Sequence, residues 1–144
     1  MKKETAAILI VIILVAGAAA YYFITPKTLA PGEIPGYVTG ETLAIYEWAK
    51  TSEGKSLLEQ VPCYCGCAYE NHQHARNCFW RDDGTFDNHG TSCSTCLNIG
   101  KKVMEMSKQR KNICEIRRDI DEFYKDLKHL ASNTSMPEGC NNTK

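Results

Sequence analysis

The sequence predicts a mainly α-helical protein: an N-terminal transmembrane helix, a linker, and a small cysteine-rich helical domain with one short hairpin or loop. Three observations carry this. An uncharged apolar run occupies Ala6 to Ile24. The last third of the chain repeats apolar residues at the helical period. All eight cysteines lie after position 62, and six of them fall between Cys63 and Cys96.

The apolar run comes first. Its 19 residues, at about 1.5 Å rise each, cover most of a hydrocarbon core of roughly 30 Å. Lys2 and Lys3 precede it, and the positive-inside rule then places the N-terminus in the cytoplasm and the rest outside. Tyr21, Tyr22 and Phe23 form an aromatic belt at its far end. A cleaved secretory signal is the competing reading, because Ala18-Ala19-Ala20 offers a small-residue cleavage site. Both readings export the domain. No cysteine follows the run closely enough to become a lipidated terminus. Two sequons, Asn133-Thr134-Ser135 and Asn141-Asn142-Thr143, fit an exported tail.

Residues 1–25 are therefore read as the signal-anchor segment and 26–40 as a linker, with Pro26, Pro31, Pro35, Gly32, Gly36 and Gly40 giving it extended character. The folded domain is assigned to 41–131. Leu43, Ile45, Tyr46 and Ala49 mark a helix over Glu41–Lys50, and Leu57 and Leu58 a shorter one over Glu53–Gln60. Asp83-Gly84, between Phe79-Trp80 and Phe86, signals a hairpin or tight loop. A helix begins after Thr91-Ser92, with Cys93, Cys96, Leu97, Gly100, Val103, Met104 and Ser107 on one stripe. The last helix is expected from Asn112 to Leu130, on the stripe Ile113, Ile116, Ile120, Phe123, Tyr124, Leu127 and Leu130. Asn112 with Glu115 three residues on is a capping-box start. Residues 132–144 read as a polar tail, frayed from Met136 to Lys144.

Seventeen basic residues balance seventeen acidic ones. That balance gives no footprint for nucleic acid, which needs a basic excess or face. No nucleophile–His–acid arrangement and no phosphate loop is visible, so nothing argues for an enzyme.

The chemistry lies in the thiols. Cys63, Cys65 and Cys67 alternate with single residues, a spacing at which neighbours do not readily bridge each other. Pro62 fixes the approach of the chain, and Gly66 permits a tight turn that aims sulfurs at one centre. Cys93-Ser94-Thr95-Cys96 sits at a helix start, where free N–H groups and the helix dipole favour thiolate. Convergent thiolates suit soft ions: Cu(I), Zn(II) or an iron–sulfur cluster. The two clusters, about two dozen residues apart, resemble a metal-site pattern. Against this stands the plain reading of an exported disulfide-stapled structural or interaction module, for which eight cysteines allow 105 connectivities. A thiol–disulfide exchange role for Cys93 and Cys96 lacks the βαβ context that usually accompanies it. Cys78, beside Phe79 and Trp80, is a ligand or a buried thiol. His72 and His74 read as loop histidines or ligands, and His89 as a ligand or a turn cap. Met104 and Met106 read as core and surface, not as thioether ligands. A Cys114–Cys140 bridge pinning the tail to the last helix is a further plain possibility.

The run Val61-Pro62-Cys63-Tyr64-Cys65-Gly66-Cys67 resembles the bacterial and archaeal PCYCGC-motif (lipo)proteins. The resemblance continues through Asn77-Cys78-Phe79, through Asn88-His89-Gly90-Thr91-Ser92-Cys93-Ser94-Thr95-Cys96, and through Ile116-Arg117-Arg118-Asp119-Ile120-Asp121-Glu122-Phe123-Tyr124. It implies an exported, membrane-attached protein that handles heavy metals, with Cys63, Cys65, Cys67, Cys78, Cys93 and Cys96 in the motif cysteine positions and His89 in that of the motif histidine. A further family histidine follows the motif, a place that His72 and His74 both fit; the predicted ligand set takes His74. Many members are lipid-anchored, whereas this chain carries a hydrophobic helix. Cys114 and Cys140 lie outside the family pattern. The resulting expectation is a membrane-anchored, extracytoplasmic Cu(I)- or Zn(II)-binding protein that stores, sequesters or delivers its ion, its partner a membrane metal transporter or metalloenzyme.

Overall fold

The computed structural model describes residues 3–24 and 29–140. Lys2, Pro26 and the Asn141-Asn142-Thr143 sequon lie outside the described residues. Helix α1 (Lys3–Ile24) holds an 18-residue apolar span, Ala7–Ile24, none of it buried within the protein. It is long and apolar enough to cross a membrane, and a signal sequence at this position has the same character.

The cysteine-rich domain is built from α2 (Gly40–Lys50), α3 (Ser52–Leu58), a one-turn α4 (His89–Ser92), α5 (Ser94–Lys108) and α6 (Ile113–Phe123), joined by 3₁₀ turns. Helices α2 and α5 pack on each other because Ile45, Tyr46 and Ala49 of the one and Ile99, Val103 and Met104 of the other form single apolar stripes, all buried. Thr51 ends α2 and caps α3, accepting a 3.0 Å bond from the Gly54 N–H. Ile116 and Ile120 close the core from α6, which starts with the expected capping box between Asn112 and Glu115.

The loop after Cys78 is held by aromatic packing. Tyr46 lies edge-on to Phe79 and Trp80 and stacks on Phe86. The Trp80 indole donates to the Tyr46 carbonyl at 2.9 Å, and the Tyr46 hydroxyl to that of Asp87 at 2.7 Å, so neither buried polar tip lacks a partner. The hairpin signal at Asp83-Gly84 resolves into a turn closed by a single antiparallel bridge, Trp80 to Phe86.

Three expectations change. The last helix stops at Phe123, and Lys125–Leu130 tightens to a 3₁₀ turn, because Tyr124 leaves helical geometry to stack on Tyr64 at 5.2 Å. The end of the linker lies against the domain: Val38 is buried, the Gly32 N–H bonds the Gly84 carbonyl at 2.9 Å, and Tyr37 meets Phe86 edge-on. The tail up to Cys140 is stitched down. Arg117, buried, donates to the carbonyls of Gln60, Thr134 and Ser135 and pairs with Asp121, and Cys140 is disulfide-bonded to Cys114.

Candidate metal centre

The backbone of the motif runs as an extended, anchored edge. Cys63 exchanges two bonds with Ser132, its N–H to the hydroxyl at 2.9 Å and its carbonyl from the Ser132 N–H at 2.8 Å. The Gly66 N–H donates to the Leu130 carbonyl at 3.2 Å. Alternation along this edge sends successive side chains to opposite sides. Cys63 and Cys65 point inward, while Tyr64 faces α6 and donates to Asp121 at 2.6 Å. Gly66 then adopts φ +80°, a left-handed conformation that an L side chain rarely takes. The turn swings Cys67 back to the same centre at the start of the 3₁₀ turn Cys67–Glu70.

Two further segments complete it. Cys78 ends the turn Ala75–Cys78 and is wholly buried. Its neighbour Phe79 wedges against Gly90 and Gly100, where an added Cβ would sit 2.8 Å and 2.6 Å from ring carbons. Only glycine at both places lets the Cys78 segment approach α4 and α5 this closely. Cys93 is the N-cap of α5 and Cys96 lies in its first turn, so the C-x-x-C pair meets the helix N-terminus as the sequence predicted.

The outcome is six free thiols in one place. The sulfur of Cys63 is 3.2 Å from Cys65, 3.4 Å from Cys96 and 3.4 Å from Cys78; Cys67 lies 3.8 Å from Cys78, and Cys65 lies 3.4 Å from Cys96. The Nε2 atom of His89 is 3.4 Å from Cys65 Sγ. Four ligand atoms within 4.8 Å of one another occur twice: Cys63, Cys67, Cys78 and Cys96, and again Cys65, Cys93, Cys96 and His89. A tetrahedral site with metal–sulfur bonds of about 2.3 Å has sulfurs about 3.8 Å apart, and the contacts lie close to that edge. A donor set of thiolates with one imidazole is of the soft to borderline kind. The cluster can therefore hold a metal ion.

Without an ion, thiols packed this tightly share protons. Hydrogen bonds from Cys63 hold Cys65 far below the usual thiol range and bring Cys67 down to about 3, while Cys63, Cys78 and Cys96 are pushed up as the donors. Burial opposes protonation of His89, but its bond to Cys65 and the surrounding negative charge outweigh it and raise its pKa.

Of the predicted ligands, the structure brings together Cys63, Cys65, Cys67, Cys78, Cys93, Cys96 and His89 and leaves His74 out. Asn71, immediately before the two loop histidines, takes a left-handed conformation with φ +65°. His72 is buried edge-on against His89, 5.2 Å between ring centres, with Asp87 at 3.6 Å. His74 instead stands at the start of the next turn among Glu59, Asp82 and Arg76, where burial lowers its pKa. Glu70 had no sequence signal at all. Its carboxylate lies 3.0 Å from His89 Nδ1, which fixes the tautomer that leaves Nε2 facing the sulfurs. The roles of Ser132 and Leu130 in bracing the motif were equally invisible, because nothing in their spacing links them to a segment almost seventy residues earlier (|i−j| 69).

Fold and site together define a small helical thiol-cluster domain carried behind an apolar N-terminal helix. Residues 24–137 match the family described as protein of unknown function with PCYCGC motif, and the chain belongs to that family. No curated protein and no solved structure matches it.

Proposed function

We propose that this protein is a membrane-anchored, extracytoplasmic soft-metal binding protein that stores, sequesters or delivers zinc or copper. The observation that carries the reading is the convergence of all six free cysteines and His89 from three separate segments on one buried centre. Six free thiols gathered in one place outside the cytoplasm would oxidise to disulfides, and a bound soft ion protects them. The apolar helix α1 holds the domain at the membrane, where the ion passes to a transporter or metalloenzyme partner.

The test is elemental analysis of the full-length chain, purified in detergent without oxygen, with free thiols counted on the same sample. Stoichiometric zinc or copper that disappears in the combined Cys63→Ser, Cys65→Ser and Cys67→Ser variant is the expected result. A metal-free chain with its thiols oxidised, and no uptake of Zn(II) or Cu(I) after reduction, would make the motif a disulfide staple and end this reading.

A further inference from the structure

We propose that the centre is binuclear: two tetrahedral divalent ions joined through the thiolate of Cys96, one held by Cys63, Cys67, Cys78 and Cys96, the other by Cys65, Cys93, Cys96 and His89. The inference rests on the metal-binding reading and adds to it the number of ions, the bridging residue and the class of metal.

Ligand number is the first argument. Two tetrahedra sharing one corner need seven ligand atoms. The two four-ligand groups share Cys96 alone, and together they use all six free cysteines and His89. A single tetrahedral ion would use four of these and leave three donors buried or half-buried at its edge with nothing to bind.

Position is the second. Cys96 lies at the junction, 3.4 Å from Cys63 of one group and 3.4 Å from Cys65 of the other. It is 1% exposed, so neither of its lone pairs is directed at water. Cys63 and Cys65, one in each group, are 3.2 Å apart across the same junction. The two sites are thus in contact through their ligands.

Charge selects the ion. Six thiolates bring six negative charges into a largely buried site. Two divalent ions leave a residual charge of about −2 and two monovalent ions about −4, and uncompensated charge is costly away from water. Zn(II) and ions of its class therefore fit better than a pair of Cu(I). The second group also differs from the first in holding an imidazole and lying nearer the surface, with Cys65, Cys93 and His89 all half-buried. It is the site that an incoming ion meets first and an outgoing ion leaves first.

The experiment uses the reduced, metal-free, full-length chain in detergent. Zn(II) is titrated in and counted by native mass spectrometry; Co(II) is titrated in parallel and read by thiolate-to-cobalt absorption and low-temperature electron paramagnetic resonance. Two ions per chain are expected, with the signal of the first Co(II) quenched as the second enters, because a shared thiolate couples their spins. Cys93→Ser and Cys67→Ser should each retain one ion with an unquenched signal. Saturation at one ion, three or more ions per chain, or two Co(II) ions that never couple would each overturn the binuclear assignment while leaving soft-metal binding intact. These wild-type readouts decide the matter even where a variant fails to fold. A chain that takes up neither ion refutes the parent reading instead.

Discussion

The two groups of cysteines in this domain put the same side chain to opposite uses. At one pole, Cys114 on α6 and Cys140 in the tail stand alone, 5.2 Å apart between Cα atoms, and form a disulfide. At the other, six thiols crowd together unbridged. The difference lies in what surrounds each. The pair ties α6 to a tail that Arg117 holds through the carbonyls of Thr134 and Ser135, and adds a covalent link to those bonds. The cluster sits against a full hydrophobic core of Phe79, Ile99, Val61 and Ile116, where a staple adds less and ligand geometry is set by packing. Isolation makes a disulfide, and convergence makes a site.

The sharpest way to break this contrast is to remove each device separately. Stripping the ion with a chelator under reducing conditions should have the largest effect, lowering urea stability by up to about 10 kcal/mol, because site binding energy is folding energy. A domain that unfolds at the same urea concentration with and without chelator would make the cluster an ornament of the core. Next comes Cys140→Ser, which opens a loop between residues separated by 26 and should cost about 3 kcal/mol. Metal content should not change. Loss of metal in that variant would show that the tail, through Ser132 and its bonds to Cys63, sets the site more strongly than the motif does. The smallest effect is expected of Gly66→Ala. Its added Cβ meets nothing nearer than Leu130 Cδ2 at 3.6 Å, so the cost is the left-handed backbone alone, about 1 to 2 kcal/mol. It should appear as a lower melting temperature together with weaker metal affinity, since Gly66 aims Cys67. A drop in stability with unchanged affinity would separate the turn from the site.

Much of this was legible in the sequence, for local reasons. The apolar span of α1, the stripes of α5 and α6 and the capping box at Asn112 follow from periodicity and from side chains reaching their own backbone. The thiol spacing around Gly66 and at the start of α5 marked five candidate ligands, Cys63, Cys65, Cys67, Cys93 and Cys96, because turns and helix ends orient donors over a few residues. His89 came with the family pattern.

What spacing could not supply was decided by contacts between distant segments. His72 lies beside His89 while His74, two residues on, lies among Glu59, Asp82 and Arg76, a separation that spacing along the chain does not announce. Helix α6 ends at Phe123 because Tyr124 finds Tyr64, and the tail is ordered because Arg117 gathers its carbonyls. The sequence by itself determined that the chain is helical, apolar at its start and rich in closely spaced thiols. Only the tertiary structure decided that those thiols divide into two groups with Cys96 between them. Local geometry sets where a donor points, whereas a shared centre requires segments far apart in the chain to be held at fixed distance by the core.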